Sequence, residues 1–118
     1  MAVTERIFSN RINTNILKHT TSGTNTVWSG IDHIVLDLIA LDDGLSDVQL
    51  DTSTVGQEDT VDFTVNGFLT FILGDKSVPE GSYLVQLTAI DSSDNKTQLI
   101  HPDGEYIIFS FFSTKTVT

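Results

Sequence analysis

The sequence contains no cysteine among its 118 residues, which excludes disulfide bonds, thiolate metal sites and cysteine nucleophiles. Basic residues are also scarce, since six lysines and arginines stand against sixteen aspartates and glutamates, for a net charge of −10. This balance argues against a nucleic-acid partner, because the phosphate backbone repels an acidic chain that has few cations to displace its counterions.

Long apolar runs are missing as well. No run approaches the roughly 20 residues of a membrane-spanning helix, so no membrane partner is expected. Residues 1–6 have no apolar segment of the kind found in signal peptides, which predicts a cytoplasmic protein or one that assembles in the cytoplasm. Apolar residues do not recur at helical spacing either, and the remaining signal is that of strands.

Short strands separated by Gly, Asp, Asn and Pro account for the chain from Val27 onward. Residues 33–41 form a nearly continuous apolar run, typical of a central strand covered on both faces. Residues 82–90 alternate, which places Tyr83, Val85, Leu87 and Ala89 on one face. Asn66 and Gly67 separate two apolar segments and predict a tight type I′ hairpin. About seven strands, with turns at intervals of roughly eight to twelve residues, predict an all-β fold. An antiparallel β-sandwich or a small barrel fits this spacing, and the sandwich is our prediction.

The charge is distributed unevenly along the chain. Residues 1–31 carry Arg6, Arg11 and Lys18 against a single acid, whereas the rest of the chain carries three lysines against fifteen carboxylates. We therefore divide the chain into an extended polar N-terminal arm, residues 1–26, and a β-sandwich domain, residues 27–118. The basic arm is predicted to dock on an acidic body, either its own or that of a neighbouring subunit.

Two strands, residues 68–73 and 106–112, are apolar on both faces, although an antiparallel sheet normally keeps one wet face. In the second, Ile108 and Phe112 are expected to face away from Phe109. Left exposed, such strands promote aggregation, so either the arm of the same chain or a neighbouring subunit must cover them. A homo-oligomer, or a complex with other structural subunits, is the expected partner. The predicted interface side chains are Arg6, Arg11, Lys18, Phe68, Phe71, Phe109, Phe111 and Phe112.

No catalytic, cofactor-binding or metal-binding residues are predicted. The three histidines are scattered, and Ser82 lacks the surroundings of a nucleophile elbow. Asp37 interrupts an apolar strand, where a satisfied structural carboxylate is a better account than a general base. Acidic loops at residues 42–47 and 91–95 offer oxygen ligands for calcium, but β-turns, which also favour Asp, Asn and Gly, are the better account of them. Together with residues 101–104, these loops could instead engage a ligand. A loop-based glycan- or protein-binding module, with calcium or without it, is the alternative to an assembly role.

Residues 79–96 resemble a late strand of immunoglobulin-like modules, in which a Gly-x-Tyr-x-Val-x-Leu-x-Ala strand precedes an Asp/Asn turn. The matching positions are Gly81, Tyr83, Val85, Leu87 and Ala89. The resemblance implies an immunoglobulin-like sandwich in which the Tyr83 hydroxyl bonds back to the preceding loop. In its acidic, cysteine-free, Thr-rich composition and polar N-terminus, the whole chain resembles the small immunoglobulin-like structural proteins of tailed bacteriophages. That likeness implies a non-enzymatic virion component of the head, neck, tail or baseplate, without a cofactor.

Overall fold

A computed structural model describes residues 3–8, 14–21, 23–41, 47–100 and 107–112. Within these ranges the protein is all-β, with eleven strands and no helix. Seven of these strands follow Val27, as the turn spacing predicts. The strands are β1 (Val3–Phe8), β2 (Asn15–Lys18), β3 (Thr20–Thr21), β4 (Thr24–Asn25), β5 (Ile31–Ala40), β6 (Val48–Asp51), β7 (Val61–Asp62), β8 (Phe68–Phe71), β9 (Gly81–Asp91), β10 (Lys96–Ile100) and β11 (Ile107–Phe112).

The strands form a large sheet, a small sheet and a two-stranded ribbon. The large sheet has the order β1-β11-β9-β5-β6, and β10 pairs with the C-terminal half of β9. The small sheet has the order β2-β8-β7, and β3 pairs with β4. All pairings are antiparallel except that of β1 with β11, so the expectation of a wholly antiparallel fold is wrong. No hairpin joins β1 to β11, which come from opposite ends of the chain, so turn geometry does not fix their relative direction.

Strands β5 and β9 form the centre of the large sheet, and their sequences alternate across its two faces. On β9 the buried face is the predicted one, with Tyr83, Val85, Leu87 and Ala89 pointing inward. On β5 only one face is fully buried, because the residues between Ile34, Leu36 and Leu38 remain partly exposed. The apolar run of β5 is therefore not covered on both faces, and its outer face carries apolar side chains that the fold itself leaves accessible.

The large and small sheets share one hydrophobic core, which gives the protein a sandwich-like arrangement. Leu69 and Phe71 of the small sheet and Phe109 and Phe111 of the large sheet belong to the same buried cluster. The rings of Phe71 and Phe109 meet edge to face with centroids 5.1 Å apart. This contact joins the two sheets, and edge-to-face aromatic pairs add stability beyond the area that they bury.

The segment around Asn66 and Gly67 forms a turn, but its register differs from the predicted two-residue hairpin. A two-residue loop at Asn66 and Gly67 would pair Val61 with Ile72. Val61 instead pairs with Phe71, which is a shift of one residue. Gly67 has φ +82°, whereas Asn66 is not among the residues of positive φ that a type I′ turn requires. A Cβ on Gly67 would come within 2.5 Å of the Asn25 side chain, so the turn is placed by contact with the N-terminal ribbon.

Two aromatic side chains anchor loops to the core. The Tyr83 hydroxyl donates a 2.8 Å hydrogen bond to the carbonyl oxygen of Pro79, as the resemblance to a tyrosine corner implied. Trp28 is buried, and its Nε1 donates to the carbonyl oxygens of Val65 and Phe68 at 2.9 and 3.1 Å. Because a buried indole needs a partner for its N–H, Trp28 fixes the position of the turn between β7 and β8.

The described parts of residues 1–26 pair with the rest of the chain. Strand β1 adds to the edge of the large sheet and places Ile7 in the core, and β2 pairs with β8 of the small sheet. His19 Nε2 lies 3.1 Å from the carbonyl oxygen of Leu99. In this structure the arm extends an edge of each sheet, and the outer face of β11 remains accessible, with Ile108 half-buried and Phe112 exposed.

Candidate interaction surface

Three of the predicted interface side chains lie in the core. Phe71, Phe109 and Phe111 are all buried, so they are not available on the surface of the folded chain. The reason is that the large and small sheets pack their inner faces against each other. The expectation that these three side chains meet a neighbouring subunit is corrected accordingly.

The other predicted interface residues divide between the two sheets. Arg6 and Phe112 are exposed on the large sheet, whereas Lys18 and Phe68 are exposed on the small one, where they pair with each other. Arg11 lies outside the described residues. Arg6 and Phe112 therefore lie on the outer face of the large sheet, whereas Lys18 and Phe68 share the small sheet with the exposed side chain of Ile16.

The outer face of the large sheet carries two groups of apolar side chains, and between them lie Arg6 and the hydroxyls of Ser82 and Ser110, which are hydrogen-bonded at 2.9 Å. Ile108 pairs with Leu84, Leu84 pairs with Ile39, and Phe8 pairs with Phe112. The rings of Phe8 and Phe112 are 5.8 Å apart, with 43% and 40% of their surfaces exposed. Leu41 is exposed, and the other members are half-buried. We call the two groups together the outer strip, which comprises Phe8, Ile39, Leu41, Leu84, Ile108 and Phe112.

Sequence reasoning found only the part of the outer strip that lies on β11. It placed Ile108 and Phe112 opposite Phe109, which the burial pattern confirms. It missed Leu84, which occupies the alternate position of β9, a strand whose inward face was recognised, and it missed Ile39 because the strand of Ile39 was predicted to be covered on both faces. The missed signal was the presence of apolar residues at positions that face solvent, where an antiparallel sheet normally has polar residues.

Polar and acidic groups border the outer strip on the side of β6. Asp37 Oδ1 accepts a 2.8 Å hydrogen bond from Gln49 Nε2, and its Oδ2 lies 3.4 Å from Gln86 Nε2. Asp37 is thus a satisfied structural carboxylate, as the sequence indicated. These three residues, with Ile39 and Asp47, line a shallow depression of about 330 Å³.

The two edges of the large sheet, on either side of the outer strip, differ in charge. Arg6 lies on β1 at one edge, and within the described part of the chain no ion pair involves its guanidinium. Asp47 lies at the opposite edge, where its Oδ1 accepts a 2.9 Å hydrogen bond from the Ala40 amide. The outer face therefore presents a cation, an apolar centre and an acidic depression in that order across the sheet.

The acidic loops supply one well-defined turn. Asp91 Oδ1 accepts hydrogen bonds from the amides of Ser93 and Asn95, both at 2.9 Å, and its Oδ2 accepts one from Asn95 Nδ2. These bonds hold the pKa of the Asp91 carboxyl below its ordinary value, and the bond from the Asn95 backbone amide has the largest effect. Both oxygens are thus engaged in the turn. Residues 42–46 and 101–104 of the other loops lie outside the described residues.

This geometry makes a pH-dependent prediction for Asp91. A carboxyl whose pKa is lower in the folded state contributes stability above the unfolded pKa, about 3.9, and loses it as the pH falls through the folded pKa. We therefore expect Asp91→Asn to flatten the decline of the urea midpoint between about pH 5 and about pH 2. Asp94→Asn, in the same turn, is the control, because Asp94 makes no side-chain hydrogen bond to any described residue. If the urea midpoint fell equally steeply with pH in Asp91→Asn and in the parent protein, the lowered pKa of Asp91 would be contradicted.

Comparison with known proteins adds no family. No family model matches the sequence, and a search of curated proteins finds no significant match. Among the described residues, no three His, Asp or Glu side chains are grouped so that they could hold a metal ion. Within the same ranges there is no helix long and apolar enough to cross a bilayer.

Proposed function

We propose that this protein is a non-enzymatic structural subunit that acts through contacts with other subunits, and that the outer strip is its contact surface. The single observation that carries the proposal is the outer strip itself, an apolar set spread over four strands of one exposed sheet face. Soluble monomers rarely expose apolar patches of more than a few hundred Å², and larger ones mark interaction sites.

The most concrete form of the proposal is a virion component of a tailed bacteriophage, built on an immunoglobulin-like sandwich. The Tyr83–Pro79 hydrogen bond and the seven strands after Val27 support the immunoglobulin-like assignment. The virion assignment rests on the overall likeness of the sequence to such proteins. Detection of the chain in purified virus particles tests it directly, and consistent absence from the particles would contradict it.

The contact surface is tested by Phe112→Lys. We expect this substitution to weaken self-association or partner binding at least about tenfold, because it places a charge at the end of the apolar strip. Ile16→Lys is the matched control, since Ile16 is 59% exposed on β2 of the small sheet and lies outside the strip. Sedimentation velocity over a range of concentrations measures both. Equal effects of the two substitutions would show that the strip is not the contact surface.

A further inference from the structure

We infer that the occupant of the outer strip is a second copy of this chain, packed face to face about a two-fold axis that runs along β9. This inference rests on the proposed function and names its partner. Three observations carry it: the order of side chains across the outer face, the charges at its two edges, and the area that the face can bury.

The order of side chains is self-complementary about β9. Pairing places Thr4, Ile108, Leu84 and Ile39 in one row on successive strands, and the pairing of Leu38 with Val48 brings Asp47 to the end of it. A two-fold axis along the middle strand reverses this row. Leu84 then faces Leu84, and Ile108 faces Ile39 of the other copy. Apolar side chains meet along this one row, which polar residues flank on β9 at Ser82 and Gln86, and the contacts are the same on both copies, as an isologous interface requires.

The charges of Arg6 and Asp47 favour an axis along β9 over one perpendicular to the strands. Rotation about β9 carries Arg6 from the β1 edge of one copy to the β6 edge of the other, near Asp47. The two residues are offset along the strand by about two positions, or roughly 7 Å, which an extended guanidinium spans. An axis perpendicular to the strands would instead leave Arg6 over β1 of the other copy, far from the acidic depression.

The net charge of the chain makes the pairing of Arg6 with Asp47 important for a dimer. Two copies of a chain that carries −10 repel each other, so a stable contact needs an apolar centre and opposite charges at its edges. Arg6 is an exposed cation without an ion pair among the described residues, and the depression beside Asp47 also contains the carboxylate of Asp37. In the two-fold arrangement each copy supplies one such cation and one such depression.

The available area sets the expected strength. The five strands have four to eleven residues each. At a strand spacing of about 4.8 Å and a rise of about 3.3 Å per residue, they present at most roughly 500 Å² per copy. The total of at most roughly 1,000 Å² lies at the lower limit for specific complexes, which corresponds to a dimer that dissociates on dilution. We therefore expect a concentration-dependent mass between one and two times 12.9 kDa.

Charge reversal in two separate variants tests the arrangement. Arg6→Glu and Asp47→Arg should each weaken self-association at least about tenfold, because each creates two like-charge contacts per dimer. A mixture of the two variants should associate as tightly as the parent protein, since both edges of the mixed dimer again pair opposite charges. Circular dichroism and thermal melting check folding. Asp47→Asn serves as a second variant, because the amide keeps an acceptor for Ala40 while removing the charge.

A cross-linking experiment tests the axis independently. The parent protein has no cysteine, so Leu84→Cys introduces a single thiol at the centre of the proposed interface. Facing sheets lie about 10 Å apart, so a short thiol-reactive cross-linker should join two copies in high yield. Val55→Cys, at an exposed position between β6 and β7 that is not part of the strip, should give little dimer.

The outcomes distinguish this inference from the proposed function. Recovery of dimer only in the mixture, with efficient cross-linking at position 84, supports the two-fold contact. A dimer that is disrupted by Phe112→Lys but insensitive to both charge reversals would overturn the two-fold pairing while leaving the assembly function in place. A monomer at all concentrations would overturn the self-contact, and equal effects of Phe112→Lys and Ile16→Lys on any partner would overturn the function as well.

Discussion

Phe71→Ala is expected to lower the free energy of unfolding by about 4 kcal/mol, whereas Phe68→Ala, three residues earlier on β8, is expected to lower it by about 1 kcal/mol or less. The difference follows from the alternation of β8. Phe71 is fully buried against Phe109, and Phe68 is 37% exposed. Truncation of Phe71 leaves a cavity at the point where the two sheets meet, and the cost of such a cavity adds to the lost transfer free energy.

Urea unfolding followed by tryptophan fluorescence measures this difference, because Trp28 is the sole tryptophan and lies in the same core. Equal midpoints for the two variants would contradict the placement of β8. An effect of Phe71→Ala on oligomer mass without loss of stability would instead return Phe71 to a subunit interface, where the sequence first placed it.

Local alternation explains why the centre of the fold could be predicted. On β9 the apolar residues recur at every second position, and this period alone determines which side chains face inward. The Tyr83 corner was predictable because the tyrosine and the preceding loop are adjacent in sequence. The turn at Asp91 followed in the same way from the preference of Asp and Asn for turns.

Contacts between distant parts of the chain explain what could not be predicted. The register of the turn at Gly67 depends on Asn25, which is more than forty residues away along the chain. The direction of β1 depends on β11, at the other end of the sequence. Sequence patterns near Asn66 favour a tight hairpin. The backbone amide of Trp28, however, donates a hydrogen bond to the Asn66 side chain, and this bond stabilises a different register.

The candidate surface was predicted in part for the same reason. Phe112 was recognised because β11 is apolar on both faces within six residues. The outer strip as a whole requires the pairing of β1, β11, β9 and β5, and only the order of strands in the sheet brings Ile39 next to Leu84 and Ile108. Charge asymmetry pointed to Arg6, but its position opposite an acidic edge also depends on that order.

Ile7→Ala is the second large effect that we expect, with a loss of about 3 kcal/mol in the free energy of unfolding. Ile7 lies in β1 and is fully buried, although it belongs to the segment that composition assigns to a polar arm. Phe8→Ala is the control, because Phe8 is the next residue, is 43% exposed and contacts Phe112 on the outer face. It should cost about 1 kcal/mol or less.

Unfolding at two protein concentrations decides where β1 belongs. If β1 completes its own chain, Ile7→Ala lowers the unfolding midpoint equally at low and high concentration, because the lost contacts are intramolecular. If β1 instead docked on a neighbour, the shift of the midpoint caused by Ile7→Ala would itself change with concentration, because the substitution would act through dissociation of the oligomer. Phe8→Ala is expected to have the opposite profile, with little change in monomer stability and weaker self-association, since Phe8 belongs to the outer strip. Adjacent residues on one strand thus separate the contribution of the segment to folding from its contribution to assembly.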